Sequence, residues 1–149
     1  MDARAKPDAE TSPLTILLVE DDDGDAKAVE RAFRRAKVAN PIVRAVDGVD
    51  ALEQIRGSNG QPRVPSPYLL LVDLNMPRMN GIQLISALRE DPQLHQLIVF
   101  VLTTSKSDED KMAAYDLNVA GYIVKETAGM DFLNLVSLVD SYWRIVELP

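Results

Sequence analysis

Five short runs dominated by Val, Ile and Leu, at residues 15–19, 41–46, 68–72, 97–102 and 120–124, alternate along this chain with stretches whose apolar residues recur at helical spacing. Runs of that length read as strands, and the stretches between them read as helices. Val29, Phe33 and Ala36 make one helical stripe, Ile82, Ile85 and Leu88 a second, and Phe132, Leu135, Val136, Val139 and Trp143 a third. A strand followed by a helix returns to the same edge of the sheet, so strict alternation predicts parallel strands joined by right-handed crossovers. The run Tyr68-Leu69-Leu70-Leu71-Val72 has no polar alternation, as a strand covered on both faces requires. The expectation is an α/β fold with a doubly wound parallel sheet of five strands and five helices. At 149 residues, 46% hydrophobic and 26% charged, the chain has enough apolar material for one core and one domain.

The boundaries are also legible. Residues 1–13, polar and containing Pro7 and Pro13, read as a flexible leader. Asn80 with Gln83, and Ser107 with Asp110, have the spacing of reciprocal helix caps. The segment 57–67 holds Pro62, Pro65 and Pro67 with Gly57 and Gly60, which denies it regular structure and predicts a surface loop.

Composition excludes several functions. A net charge of -7 opposes sequence-independent binding to nucleic acid or to an anionic membrane. With no Cys and only His95, thiolate and histidine-cluster metal sites are ruled out. His95 follows Asp91-Pro92 and reads as an exposed loop residue. The opening residues lack the apolar core of a signal peptide and no run reaches membrane-spanning length, so a cytoplasmic protein is expected.

The chemistry gathers where predicted strands end. Asp73 closes the third run and opens Asp73-Leu74-Asn75-Met76-Pro77-Arg78-Met79-Asn80-Gly81, and Glu20-Asp21-Asp22-Asp23 follows the first run. In the strand order 2-1-3-4-5, a doubly wound arrangement shared by flavodoxin and CheY, strands 1 and 3 are neighbours and the ligand crevice opens at their carboxyl ends. Carboxylates converging there repel each other unless a hard cation lies between them, which points to Mg²⁺ and away from a flavin phosphate. Asp22, Asp23 and Asp25 also suit the first turn of a helix, where acidic side chains are favoured. The fourth run ends in Thr103-Thr104-Ser105 and the fifth in Lys125. A carboxylate nucleophile, a cation site, a hydroxyl and an ammonium on one edge can accept a phosphoryl group.

Over residues 14–143 this constellation resembles the receiver domains of two-component response regulators. The resemblance implies that Asp73 is the phosphoacceptor, Asp21 a direct Mg²⁺ ligand, Glu20 an acidic neighbour acting through water, and the Asn75 backbone carbonyl a further ligand. It implies that Thr103 is the switch hydroxyl, Lys125 the lysine that meets the phosphoryl group, and Tyr122 the aromatic that moves on activation. The altered surface would be the face of the fourth helix, fifth strand and fifth helix. Leu102-Thr103-Thr104-Ser105, the proline-rich segment 57–67 and the ending Tyr142-Trp143-Arg144-Ile145-Val146-Glu147-Leu148-Pro149 resemble single-domain regulators that serve cyanobacterial and bacterial phytochromes. The partner so implied is a sensor histidine kinase of the bacteriophytochrome kind. The chain departs from the common pattern at Glu126, where many receivers carry Pro. A cis bond before Glu costs about 3 kcal/mol, so a trans Lys125-Glu126 bond is expected.

Two other functions compete. A Mg²⁺-dependent phosphohydrolase of the haloacid dehalogenase type also uses an aspartate nucleophile, but needs an ionisable Asp two residues later, where this chain has Asn75. A phosphorylation-independent receiver-fold interaction module usually lacks an acidic ligand, the acceptor or the lysine, all of which are present here. The expected protein is therefore a signalling switch and not an enzyme acting on a separate substrate. A homodimer is also expected: Leu138, Tyr142 and Ile145 form a second apolar stripe on the last helix, continued by Val146 and Leu148 in the extension 144–149. The regulators it resembles pair through this region.

Overall fold

The computed structural model describes residues 13–74, 76, 78–103, 108–125 and 128–130, with the backbone alone for 103, 108–111 and 124. Five strands are present: β1 (Thr15–Val19), β2 (Ile42–Ala45), β3 (Tyr68–Asp73), β4 (Val99–Thr103) and β5 (Gly121–Val124). Between them lie α1 (Asp23–Arg35), α2 (Gly48–Arg56), α3 (Gly81–Glu90) and α4 (Asp108–Asp116), and residues 128–130 are helical where the fifth helix is expected. The strands form one parallel sheet in the order β2-β1-β3-β4-β5. This is the expected flavodoxin-like order, in which the acidic ends of the first and third runs are neighbours.

Period-two geometry divides each strand between two cores. Ile16 and Leu18 of β1, with Leu69 and Leu71 of β3, pack against Ala26, Val29 and Phe33 of α1 and against Ala128. Leu17, Val19, Leu70 and Val72 face the other way, onto Ala51 and Ile55 of α2, Leu84 and Leu88 of α3, and Ala114 of α4. Every residue of β1 is buried, as are the last five of β3. Burying a Leu or Val fully contributes about 1.5–3 kcal/mol, which is why the two central strands carry uninterrupted apolar sequence.

Three helix starts are capped by the acidic or amide residue just before them. Asp22 accepts from the Asp25 amide at 2.7 Å, and Asp47 from the Asp50 amide at 2.8 Å. Asn80 and Gln83 form the reciprocal pair that their spacing predicts. Ser107, its counterpart in the other predicted cap, lies outside the described residues.

Apolar sequence and ladder pairing do not coincide at the strand ends. The fourth run begins at Leu97, but the Leu97 amide bonds to Leu94 O in a turn while its side chain already packs on the core. Strand β4 therefore starts at Val99 and runs on to Thr103. The segment 57–67 has no helix or strand, as expected, and Gly57 closes α2 with φ 67°. It is not wholly superficial, because Val64 is buried and its amide bonds to Gln54 O at 2.9 Å. His95 is exposed, and Met76 and Met79 pack locally against the second core.

Candidate functional site

The parallel register aligns the carboxyl ends of the central strands. Val19 pairs with Val72, Asp73 with Leu102, and Thr103 with Val124. The residues immediately beyond β1 and β5 are Glu20 and Lys125, so both reach the crevice that holds Asp73. Glu20 is fully buried, Asp73 and Lys125 are nearly so, and Asp21 is exposed at the mouth. One carboxylate oxygen from each of Glu20, Asp21 and Asp73 falls within 4.8 Å of the others.

Lys125 stands among these acids. Its Nζ lies 2.7 Å from Glu20 Oε1, 2.7 Å from Asp25 Oδ2 and 3.4 Å from Asp73 Oδ2. Glu20 Oε2 accepts from the Asp22 amide at 3.1 Å, and the buried Oε1 meets the Lys125 ammonium as an ion pair. Burial pushes the Glu20 carboxyl up from 4.5 to about 7; the ammonium and the Asp22 amide oppose this, and the Asp73 charge adds to it. For Lys125, burial opposes the charge, but hydrogen bonds from its ammonium to Asp25 and Glu20 outweigh it and hold the group above its ordinary value.

The donor set suits a small hard cation. It consists of carboxylate oxygens alone, and Mg²⁺ or Mn²⁺ takes such ligands. Glu20, Asp21 and Asp73 are the side chains that could hold it.

The segment after β3 is fastened on two sides. Arg78, at φ 61°, forms a two-pronged ion pair with Asp47, with Nε to Oδ2 2.6 Å and Nη2 to Oδ1 3.1 Å. The Arg78 hydrogen bonds override burial and hold the Asp47 carboxyl below its ordinary range. On the other side Gly81 donates to Leu74 O at 3.0 Å, and a Cβ there would stand 2.5 Å from Asp73 O. The approach of α3 to the Asp73 backbone thus depends on a glycine.

Among the described residues the expected site residues Glu20, Asp21, Asp73 and Lys125 come together. Thr103 closes β4 as expected, while its side chain, Asn75 and Glu126 lie outside the described part. Tyr122 is half-buried on the α4 side, its ring centroid 5.6 Å from that of Tyr115. Sequence reading assigned no site role to Asp25, Arg78, Asp47 or Tyr115. Asp25 reads as one more acid in a helix start, and its contact with a lysine 100 residues away leaves no local signal.

The family model of the response regulator receiver domain matches residues 16–137. The chain belongs to the response-regulator receiver family. Among curated relatives, this receiver is 31% identical over 143 residues to the response regulator Rcp1 of Synechocystis, covering 95% of this chain and 97% of that protein. The solved structure of the Mn²⁺-bound form of Rcp1 matches with a TM-score of 0.65 at 30% identity, covering 92% of this chain and 99% of that one. The phosphorylated cyanobacterial phytochrome response regulator RcpA matches with a TM-score of 0.70 at 30% identity, covering 89% and 94%. The receiver's similarity to these proteins covers 89–95% of its length, and phytochrome response regulators are prominent among the similar structures.

Proposed function

We propose that this receiver is a phosphorylation switch that accepts a phosphoryl group on Asp73 from a histidine kinase, with a phytochrome-type photoreceptor kinase as its partner. The observation that carries the reading is the convergence of Asp73, Glu20 and Lys125 at adjoining strand ends, with Asp21 at the mouth. The likeness to Rcp1 and RcpA supports the phytochrome partnership.

In the transfer, an Asp73 carboxylate oxygen forms a bond to phosphorus as the P–N bond to the donor's imidazole breaks. The imidazole keeps the electron pair and takes a proton from solvent. Bound Mg²⁺, held by Glu20, Asp21, Asp73 and the Asn75 carbonyl, would supply charge neutralisation for the phosphoryl oxygens. Lys125 brings a second positive charge to those oxygens, and Thr103 brings a hydroxyl. Drawing Thr103 inward makes room for the Tyr122 ring and biases the face of α4, β5 and the last helix between two arrangements. The same face, with residues 144–149, would form a homodimer; those residues lie outside the described part. No described helix is long and apolar enough to cross a membrane, in keeping with a cytoplasmic switch.

The test is phosphorylation by a small phosphodonor and by a purified phytochrome-type kinase, followed by mapping of the modified residue. Label should require Mg²⁺, reside on Asp73 and vanish in Asp73→Asn, whose amide is not a nucleophile towards phosphorus. Label surviving in that variant would refute the assignment.

A further inference from the structure

The buried ammonium of Lys125 is closer to Asp25 than to the proposed phosphoacceptor. Asp25 Oδ2 lies 2.7 Å from Nζ and Asp73 Oδ2 lies 3.4 Å away. Asp25 is the third residue of α1 after the cap Asp22, the place from which an acidic side chain ordinarily turns back to the cap's own amide. Here that amide already donates to Glu20 Oε2, so the Asp25 carboxylate is available to face across the crevice. Asp25 also stands outside the group of carboxylates close enough to share a cation. Among the described residues its contact with the chemistry is the ion pair with Lys125. The neighbouring Asp23, in the same turn, turns instead to Arg44 at 2.6 Å.

We infer that Asp25 is a positioning residue for Lys125, holding the ammonium on the α1 side of the crevice until a phosphoryl group on Asp73 takes it over. The inference deepens the phosphorylation reading and rests on it. With metal bound to Glu20 and Asp73, Asp25 becomes the main carboxylate competing with the phosphoryl oxygens for the lysine. Its side chain is 49% exposed, so it can return to water when the lysine leaves. A buried partner could not release the ammonium so cheaply, because it would be left as an uncompensated charge. Each activation would thus break one half-solvated ion pair and remove one of the ties on the first turn of α1, whose cap at Asp22 and ion pair from Asp23 to Arg44 remain.

The experiment follows the Lys125 ammonium by ¹⁵N nuclear magnetic resonance, its signal assigned by loss in Lys125→Arg. In metal-free protein Asp25→Asn should shift or broaden that signal, while Asp23→Asn, which removes the same charge from the same turn, leaves it in place. Titration with beryllofluoride, a phosphoryl mimic, at saturating Mg²⁺ should show binding about two- to five-fold tighter in Asp25→Asn than in the parent, the range set by a partly exposed ion pair. Asp23→Asn should bind as the parent does. An unchanged ammonium signal in Asp25→Asn would overturn the ground-state contact. Equal tightening in both variants, or none in either, would overturn the handover and leave only a general charge effect. If the parent fails to bind beryllofluoride while the ammonium signal still depends on Asp25, the phosphorylation reading falls and the handover with it, but the pairing of Asp25 with Lys125 stands.

Discussion

Replacing Lys125 with Met keeps most of the side-chain length and removes the charge, and its cost can be worked from the three carboxylates around Nζ. Removing one partner of a buried ion pair typically costs about 3–5 kcal/mol. Asp25 contributes little of this, since a half-exposed pair is worth at most about 1 kcal/mol. Glu20 is the residue that sets the pH dependence. Its carboxyl is raised from 4.5 to about 7, first by burial. Between those two values the folded protein holds a proton that the unfolded chain has released, so stability falls as pH rises through this window. The full effect of Glu20 is about 3.5 kcal/mol, from some 2.5 pH units at about 1.4 kcal/mol each. Lys125, held above its ordinary value, stays charged throughout and loses its contribution only at alkaline pH. Without it, Glu20 keeps its proton to higher pH still. Lys125→Met should therefore lose about 3 kcal/mol at pH 8 and only about 1–2 kcal/mol at pH 6, where Glu20 is largely protonated in both proteins. The loss at pH 8 corresponds to a Tm lower by about 6–12 °C for a chain of this size. Guanidinium unfolding followed by circular dichroism, in EDTA at both pH values, measures it. A variant as stable as the parent at pH 8, or an equal deficit at the two pH values, would refute the reasoning.

Two further substitutions probe the two ends of the sheet. Gly81→Ala places a Cβ 2.5 Å from Asp73 O and 2.7 Å from Leu74 Cα; the displaced backbone should slow phosphorylation of Asp73 by about ten- to a hundred-fold, measured with a small phosphodonor, while helical content is retained. At the opposite end Arg89 donates to Leu117 O, His95 O, Leu97 O and Asn118 O at 2.7–3.1 Å. Arg89→Met should cost about 2–3 kcal/mol in denaturant unfolding and leave beryllofluoride binding unchanged, because these carbonyls are partly solvated and lie beyond the amino ends of β4 and β5.

How much of this could be read without coordinates depends on the range of the interaction. The parallel sheet was determined by sequence pattern: strands alternating with helices must return in parallel, and strands covered on both faces must be apolar throughout, as Leu69-Leu70-Leu71-Val72 and Ile16-Leu17-Leu18-Val19 are. Asn80 and Gln83 were equally legible, since a cap is an interaction between residues three apart. The position of Asp73, Glu20 and Lys125 at strand ends also followed from the sequence, because topology carries every parallel strand's carboxyl end to one edge. Strand boundaries were not determined in this way: Leu97 is apolar because it packs on the core, although its backbone is still in a turn. Nor could the sequence tell Asp25 from Asp22 and Asp23, three acids in one helical turn. Asp22 caps the helix, Asp23 meets Arg44 and Asp25 meets Lys125. That sorting, like the pairing of Arg78 with Asp47, depends on which distant cation the fold brings within a few ångströms of each carboxylate. Local periodicity encodes burial, but only the packed sheet decides which charges meet.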